Sequence, residues 1–279
     1  MNHNMRPPRL FAVLLLTSLA ASRAYSQDFN LLHKNASAQI NITNANAGVV
    51  GWSTDGVNSL NDQRFFYRIG NASEALVQSI SSTPAVIFTQ VPNVLSKLDV
   101  TYANATFSVQ TLFVLTGSTA GSGKSGLSET ITVKNLSGAN LDFHLFQYSN
   151  FDLWGVPGGQ TAQFSFDGIG QPYQVSQTDG SRTVTEIING SSAPIGHYEA
   201  SPAFATLTSL TDGAPTTLGD IASAGPGDMT FTYQWDVVLA PDQTLTISKL
   251  MNIVPEPSMA TLIVAGFSVM LARRRTQKS

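Results

Sequence analysis

The chain has no cysteine among its 279 residues. That excludes disulfide staples, thiolate nucleophiles and cysteine-based metal sites together. Charge is scarce as well, with Asp, Glu, Lys and Arg making up 12% of the sequence, about half the usual share. Positive charge is scarcest in the body. From Asp28 to Val254 there are eight Lys and Arg against seventeen Asp and Glu, a net charge of −9. Such a body repels phosphate backbones and has no basic stripe, so nucleic acid is excluded as a partner. No apolar run reaches the ~17–25 residues of a stable membrane-spanning helix. An amphipathic pattern of helical period longer than two or three turns is also missing, which excludes βαβ architectures.

What is present is alternation of period two. It is clearest in Thr130-Ile131-Thr132-Val133, Phe143-His144-Leu145-Phe146, Phe164-Ser165-Phe166, Thr230-Phe231-Thr232-Tyr233-Gln234-Trp235 and Thr244-Leu245-Thr246-Ile247-Ser248, the signature of half-buried strands. Turn signals separate them: Asp-Gly pairs at Asp55, Asp167, Asp179 and Asp212, and the runs Pro157-Gly158-Gly159 and Gly225-Pro226-Gly227. About a dozen strands and only short helical candidates, at 73–80 and 204–210, predict an all-β antiparallel two-sheet sandwich over residues 28–253. Phe107 to Leu115 and Glu129 to Lys134 read as a hairpin joined by a mobile glycine-serine loop. A body of this size is large enough to bury its own core, and without disulfides it must be held by that core.

Chemical motifs are few. Gly121-Ser122-Gly123-Lys124-Ser125 has the composition of a phosphate-cradling loop, but Ser118 stands where the first glycine belongs and a strand pattern follows where a helix should. His197 and Glu199 share one face of a strand, and His144 and Asp152 are the residues that would have to approach them for a metal or acid–base role. Neither spacing is that of a compact ligand set, so no metal and no cofactor is expected. Asp152, Asp167, Asp179 and Asp228 sit in glycine-rich loops that suit calcium or plain solvated turns. Among the aromatics, Tyr233 and Trp235 alternate with polar residues and belong to the core. Trp154, beside Pro157-Gly158-Gly159, and Tyr148 are the candidate glycan contacts.

The two ends are more explicit. Arg6 and Arg9 precede an apolar core from Leu10 to Leu16, followed by small residues, the layout of a secretory signal peptide over residues 1–24 for the Sec translocon. Cleavage after Ala24 fits, and the Ala20-Ala21-Ser22 and Ala24-Tyr25-Ser26 sets are also usable. At the other end, Val254-Pro255-Glu256-Pro257 precedes an uncharged stretch from Met259 to Ala272 and then Arg273, Arg274 and Arg275. The prolines lack amide donors and hold the backbone extended around Glu256. The fourteen-residue hydrophobic helix spans a bilayer only marginally, and the arginines mark the side of synthesis, which leaves the body outside.

That ordered tail, residues 254–279, resembles the PEP-CTERM sorting signal of exosortase-bearing Gram-negative bacteria. The resemblance implies that Val254 to Pro257 form the motif read by the exosortase and that Arg273 to Arg275 form the basic anchor. It implies a protein anchored transiently in the inner membrane and finally placed at the cell surface or in an exopolysaccharide-rich matrix. Segments 61–70, 146–153 and 197–199 resemble a β-rich subgroup of such proteins. With no catalytic constellation apparent, the expectation for the body is a non-enzymatic structural or adhesive role, with a glycan-binding module as the alternative. A secreted polysaccharide-active enzyme is the third reading, and it needs paired carboxylates in a cleft.

Overall fold

The computed structural model describes residues 28–43 and 48–256. The residues of the expected signal segment with Ala24, Pro257, the expected C-terminal hydrophobic helix and Arg273 to Arg275 lie outside them. Eighteen strands are described: β1 (Asp28–His33), β2 (Ala36–Asn41), β3 (Gly48–Thr54), β4 (Val57–Asn58), β5 (Leu60–Ile69), β6 (Ala75–Leu76), β7 (Ala85–Val91), β8 (Leu95–Ala103), β9 (Phe107–Gly117), β10 (Ser125–Asn135), β11 (Leu141–Phe151), β12 (Gln160–Phe166), β13 (Pro172–Thr178), β14 (Arg182–Ser191), β15 (His197–Pro202), β16 (Ser223–Gly227), β17 (Met229–Leu239) and β18 (Thr244–Pro255). The described helical pieces are single turns at Val77–Ile80 and Leu153–Gly155 and the five-residue α1 (Ala205–Ser209).

The strands form two nine-stranded sheets. The front sheet runs β1-β2-β3-β5-β11-β17-β15, with β4 on β3 and β6 on β5, and the back sheet runs β16-β12-β13-β14-β18-β10-β9-β8-β7. Every strand pair is antiparallel, and each expected strand falls inside one of them. The hairpin of β9 and β10 pairs Phe107 with Asn135 through Gly117 with Ser125. The order of β11, β17 and β15 places Tyr148 opposite Thr232, and Thr232 opposite Glu199.

Alternation explains the layering. In β11, Leu141, Phe143, Leu145 and Phe151 point between the sheets, where Trp52, Phe231, Tyr233 and Trp235 meet them in one core. The opposite face of the same strand carries Phe146 and Tyr148. They too are buried, because residues 203–218 fold back over the front sheet and lay Leu210 and Leu218 on Phe66, Phe146 and Tyr148. Glu199 fastens this cover, accepting from the Thr206 hydroxyl at 2.5 Å and from the Gly219 N–H at 2.8 Å.

The glycine-serine loop expected to be mobile is pinned. Gly121 and Gly123 donate their N–H groups to the two oxygens of Asp55 at 2.7 and 2.8 Å, and Ser118 N–H donates to Asn35 at 2.6 Å. The anion in this cradle is therefore the chain's own carboxylate. The two amide bonds hold Asp55 below the usual carboxylate range. A strand follows, β10, and with it the phosphate-loop reading is closed.

Candidate functional site: a polar cleft on the front sheet

On the covered face of the front sheet, β5 and β11 leave a cleft of about 220 Å³ between their ends and the α1 segment. Asp62, Arg64, Tyr148 and Asn150 form its floor, with Asn61 and Val50 beside them and Phe204 and Leu207 at the rim. Strand pairing builds this floor directly, since Tyr148 stands opposite Arg64 and Asn150 opposite Asp62. The register slips just past Asn150, an irregularity of the kind that re-aims side chains beside binding sites.

Burial pushes the Asp62 carboxyl up to about 6, even though the Arg64 guanidinium lies 2.5 Å from Oδ2 and pulls the other way. Burial also raises the Tyr148 hydroxyl to about 12, with the Asp62 charge adding to it. The Asn150 Oδ1 is buried without a hydrogen-bond partner, a group that a polar ligand would satisfy. At the rim, Phe204 is 60% exposed and holds a left-handed φ of 66°, a strained conformation for a bulky side chain. The cleft therefore combines a carboxyl poised to hold or release a proton near neutrality, a guanidinium, an unsatisfied amide oxygen and an exposed ring.

The residues expected from sequence are placed as follows. Tyr148 is fully buried and packed under α1, so its ring offers no stacking face, and it lies on the floor of the cleft. Trp154 is 46% exposed in the single turn after β11, and the Arg182 guanidinium covers its ring at 3.6 Å. One face of this ring is therefore already engaged. His144 and His197 do approach each other through Asp236, which bonds His144 Nδ1 and lies 4.0 Å from His197 Nε2. Asp152 is at the other end of β11, and among the described residues no three His, Asp or Glu side chains converge on a metal position. Asp167 and Asp179 close turns through backbone N–H groups. Val254 and Pro255 are strand residues of β18, paired with Thr183 and Arg182, and Glu256 N–H donates to the Ser181 carbonyl at 2.8 Å. Sequence reasoning missed Asp62 and Arg64, whose alternation marks them only as one face of β5.

No protein-family model matches the chain, and no curated protein matches its sequence. Solved structures do share its fold. A bacterial glucoamylase in complex with acarbose aligns over 84% of this chain with a TM-score of 0.59 at 10% identity, and this chain spans a third of that protein. A galactose mutarotase-like protein from Clostridium acetobutylicum aligns over 81% of this chain and 95% of its own, with a TM-score of 0.52 at 10% identity. The class defined is thus a two-sheet antiparallel sandwich, a fold this chain shares with these proteins. The expectation of a non-enzymatic body is corrected by these findings: the solved structures that share this sandwich include a glucoamylase and a galactose mutarotase-like protein, and the front-sheet cleft holds a buried carboxyl, Asp62, that the sequence had not singled out.

Proposed function

We propose that the body is an exported carbohydrate-recognising and carbohydrate-processing domain whose site is the front-sheet cleft. The observation that carries this reading is the convergence of Asp62, Arg64 and Asn150 on one cleft in a fold shared with sugar-active proteins. A sugar ring presents hydroxyls to such groups and an apolar face to an exposed aromatic. Asp62 is the proton-transfer group, because a carboxyl raised toward neutrality both gives and takes a proton at working pH. Arg64 orients it and steadies its charged form.

The tail adds the location. The order of Pro-Glu-Pro motif, apolar stretch and arginine cluster supports export, exosortase processing and residence at the cell surface or in the matrix, where the polysaccharide of the host is the ligand at hand.

Titration of the purified protein with a panel of aldoses and oligosaccharides, read by calorimetry and by exchange between sugar anomers in NMR, tests the proposal. Binding that Phe204→Ala weakens about tenfold, and proton-transfer activity that Asp62→Asn lowers by about a hundredfold or more, are expected. No heat, no exchange and no difference between wild type and Asp62→Asn would refute it.

A further inference from the structure

Between the sheets lies a charged cluster that the cleft does not use. Lys249 of β18 has no exposed side-chain surface, and neither has Glu129 of β10 or Glu186 of β14. The Lys249 Nζ is 2.5 Å from Glu129 Oε2 and 3.3 Å from Glu186 Oε1, with the Phe65 ring 5.3 Å away. Across the core, Gln147 of β11 projects from the front sheet. Its Oε1 is in direct hydrogen-bond contact with Lys249 Nζ, while its Nε2 donates to both oxygens of Glu186 at 2.9 and 2.8 Å. An amine, an amide and two carboxylates are thus packed together in the buried interior.

We propose that Lys249 and Gln147 form an intramolecular isopeptide bond that ties the two sheets together. The geometry supplies each component of the reaction. Lys249 gives one ammonium proton to Glu129, the carboxylate directly opposite it in the ladder, and the neutral amine attacks Gln147 Cδ, the carbon bonded to the oxygen it already touches. Burial favours this transfer, since it replaces two charges with none. Protonated Glu129 then stabilises the oxygen of the tetrahedral adduct. Glu186, bound to Nε2, takes the second proton from the attacking nitrogen and delivers it to the departing one. The Cδ–Nε2 bond breaks, the Nζ–Cδ bond remains and one ammonia leaves, so that atoms and charge balance with no oxidant or co-reactant. Fixed neighbours in a buried site are what make an otherwise slow aminolysis feasible. The product provides a covalent tie to a protein that has no cysteine.

Peptide mapping of the full chain, purified in the folded state and digested after denaturation, decides the matter. The expected result is a branched peptide joining the Gln147 segment to the Lys249 segment, lighter than the two linear peptides by one ammonia, with no cleavage after Lys249 by a lysine-specific protease. Locating the link matters, because cyclisation of an N-terminal glutamine also releases ammonia. Recovery of both segments as linear peptides from folded wild-type protein overturns the proposal without recourse to any variant. Glu129→Gln and Glu186→Gln, each checked for folding by its circular dichroism, are expected to leave both segments unlinked. A link that persists in both folded variants would overturn the acid–base roles assigned to these carboxyls.

Discussion

Gly117 shows how tightly single positions are specified. It ends β9, and a Cβ there would lie 2.0 Å from the His33 carbonyl oxygen, at a point where the Gly117 N–H also donates to His33 Nδ1 at 2.8 Å. The back sheet touches the edge of the front sheet here, and only a residue without a side chain permits the approach. Gly117→Ala is therefore expected to destabilise the fold by about 2–3 kcal/mol through backbone displacement, read as a lower urea midpoint. An unchanged midpoint would mean that the β1–β2 turn moves aside freely. The same scale decides the cleft. Asp62 and Arg64 read in the sequence as an ordinary charged stripe on a strand, and their neighbours Asn150 and Phe204 are far from them in the chain. No local pattern announces that set, because strand pairing and the fold-back of residues 203–218 bring it together.

At the scale of the element, β18 is the strand with the most consequences. It lies inside the back sheet between β14 and β10, and its pairing continues to Pro255. The sorting motif was expected to begin as an exposed extended segment. Val254 and Pro255 are extended as part of the ladder, Pro255 and Glu256 are exposed, and the Glu256 carboxylate contacts the Thr183 hydroxyl. An enzyme gripping the motif from Val254 onward must compete with that pairing. Mass spectrometry of the protein from its native host is expected to find a mature C-terminus beyond Glu256 and the loss of the apolar stretch, with the body outside the inner membrane. An intact Ser279 in an inner-membrane fraction would exclude processing. The strand's alternation was legible in Thr244 to Ser248, and its Lys249 was not: a lysine at an inward position contradicts the pattern rule. Such a local violation is where buried chemistry is found.

For the whole molecule, the buried carboxyls set the response to pH. Burial raises Glu129 to about 7 from an ordinary 4.5 despite the neighbouring Lys249, and Asp62 to about 6 from 3.8. Both favour the fold in their protonated form, so their contribution is complete below the unfolded values and is lost as pH rises through about 6 and then about 7. Asp179 and Asp236 act in the opposite sense. Burial pushes each up, but hydrogen bonds from Ser181 and Arg182 in one case, and from His144 and Gln234 in the other, hold them below the usual range. Their contribution is lost as pH falls below about 4. Denaturant midpoints are expected to peak near pH 4–5 and to fall toward pH 8. A flat profile over that range would show that burial raises neither carboxyl. The proposed Lys249–Gln147 tie closes a loop of about 100 residues. By the chain-entropy argument developed for disulfides, that is worth about 4–5 kcal/mol.

Composition and alternation by themselves determined that this is an acidic, cysteine-free, antiparallel two-sheet β protein with turns at its Asp-Gly pairs, because strand period and turn chemistry are local properties of the backbone. They also set the order of motifs at the two ends. Which strands are neighbours was decided only in three dimensions, since an antiparallel ladder joins residues far apart and the sequence carries no address for a partner strand. Burial followed from that choice. It covered Tyr148, left Trp154 with one engaged face, raised Asp62 beside Arg64 and set Lys249 against Gln147. Each of these depends on desolvation and contact between distant strands, which arise when the sheets close on each other.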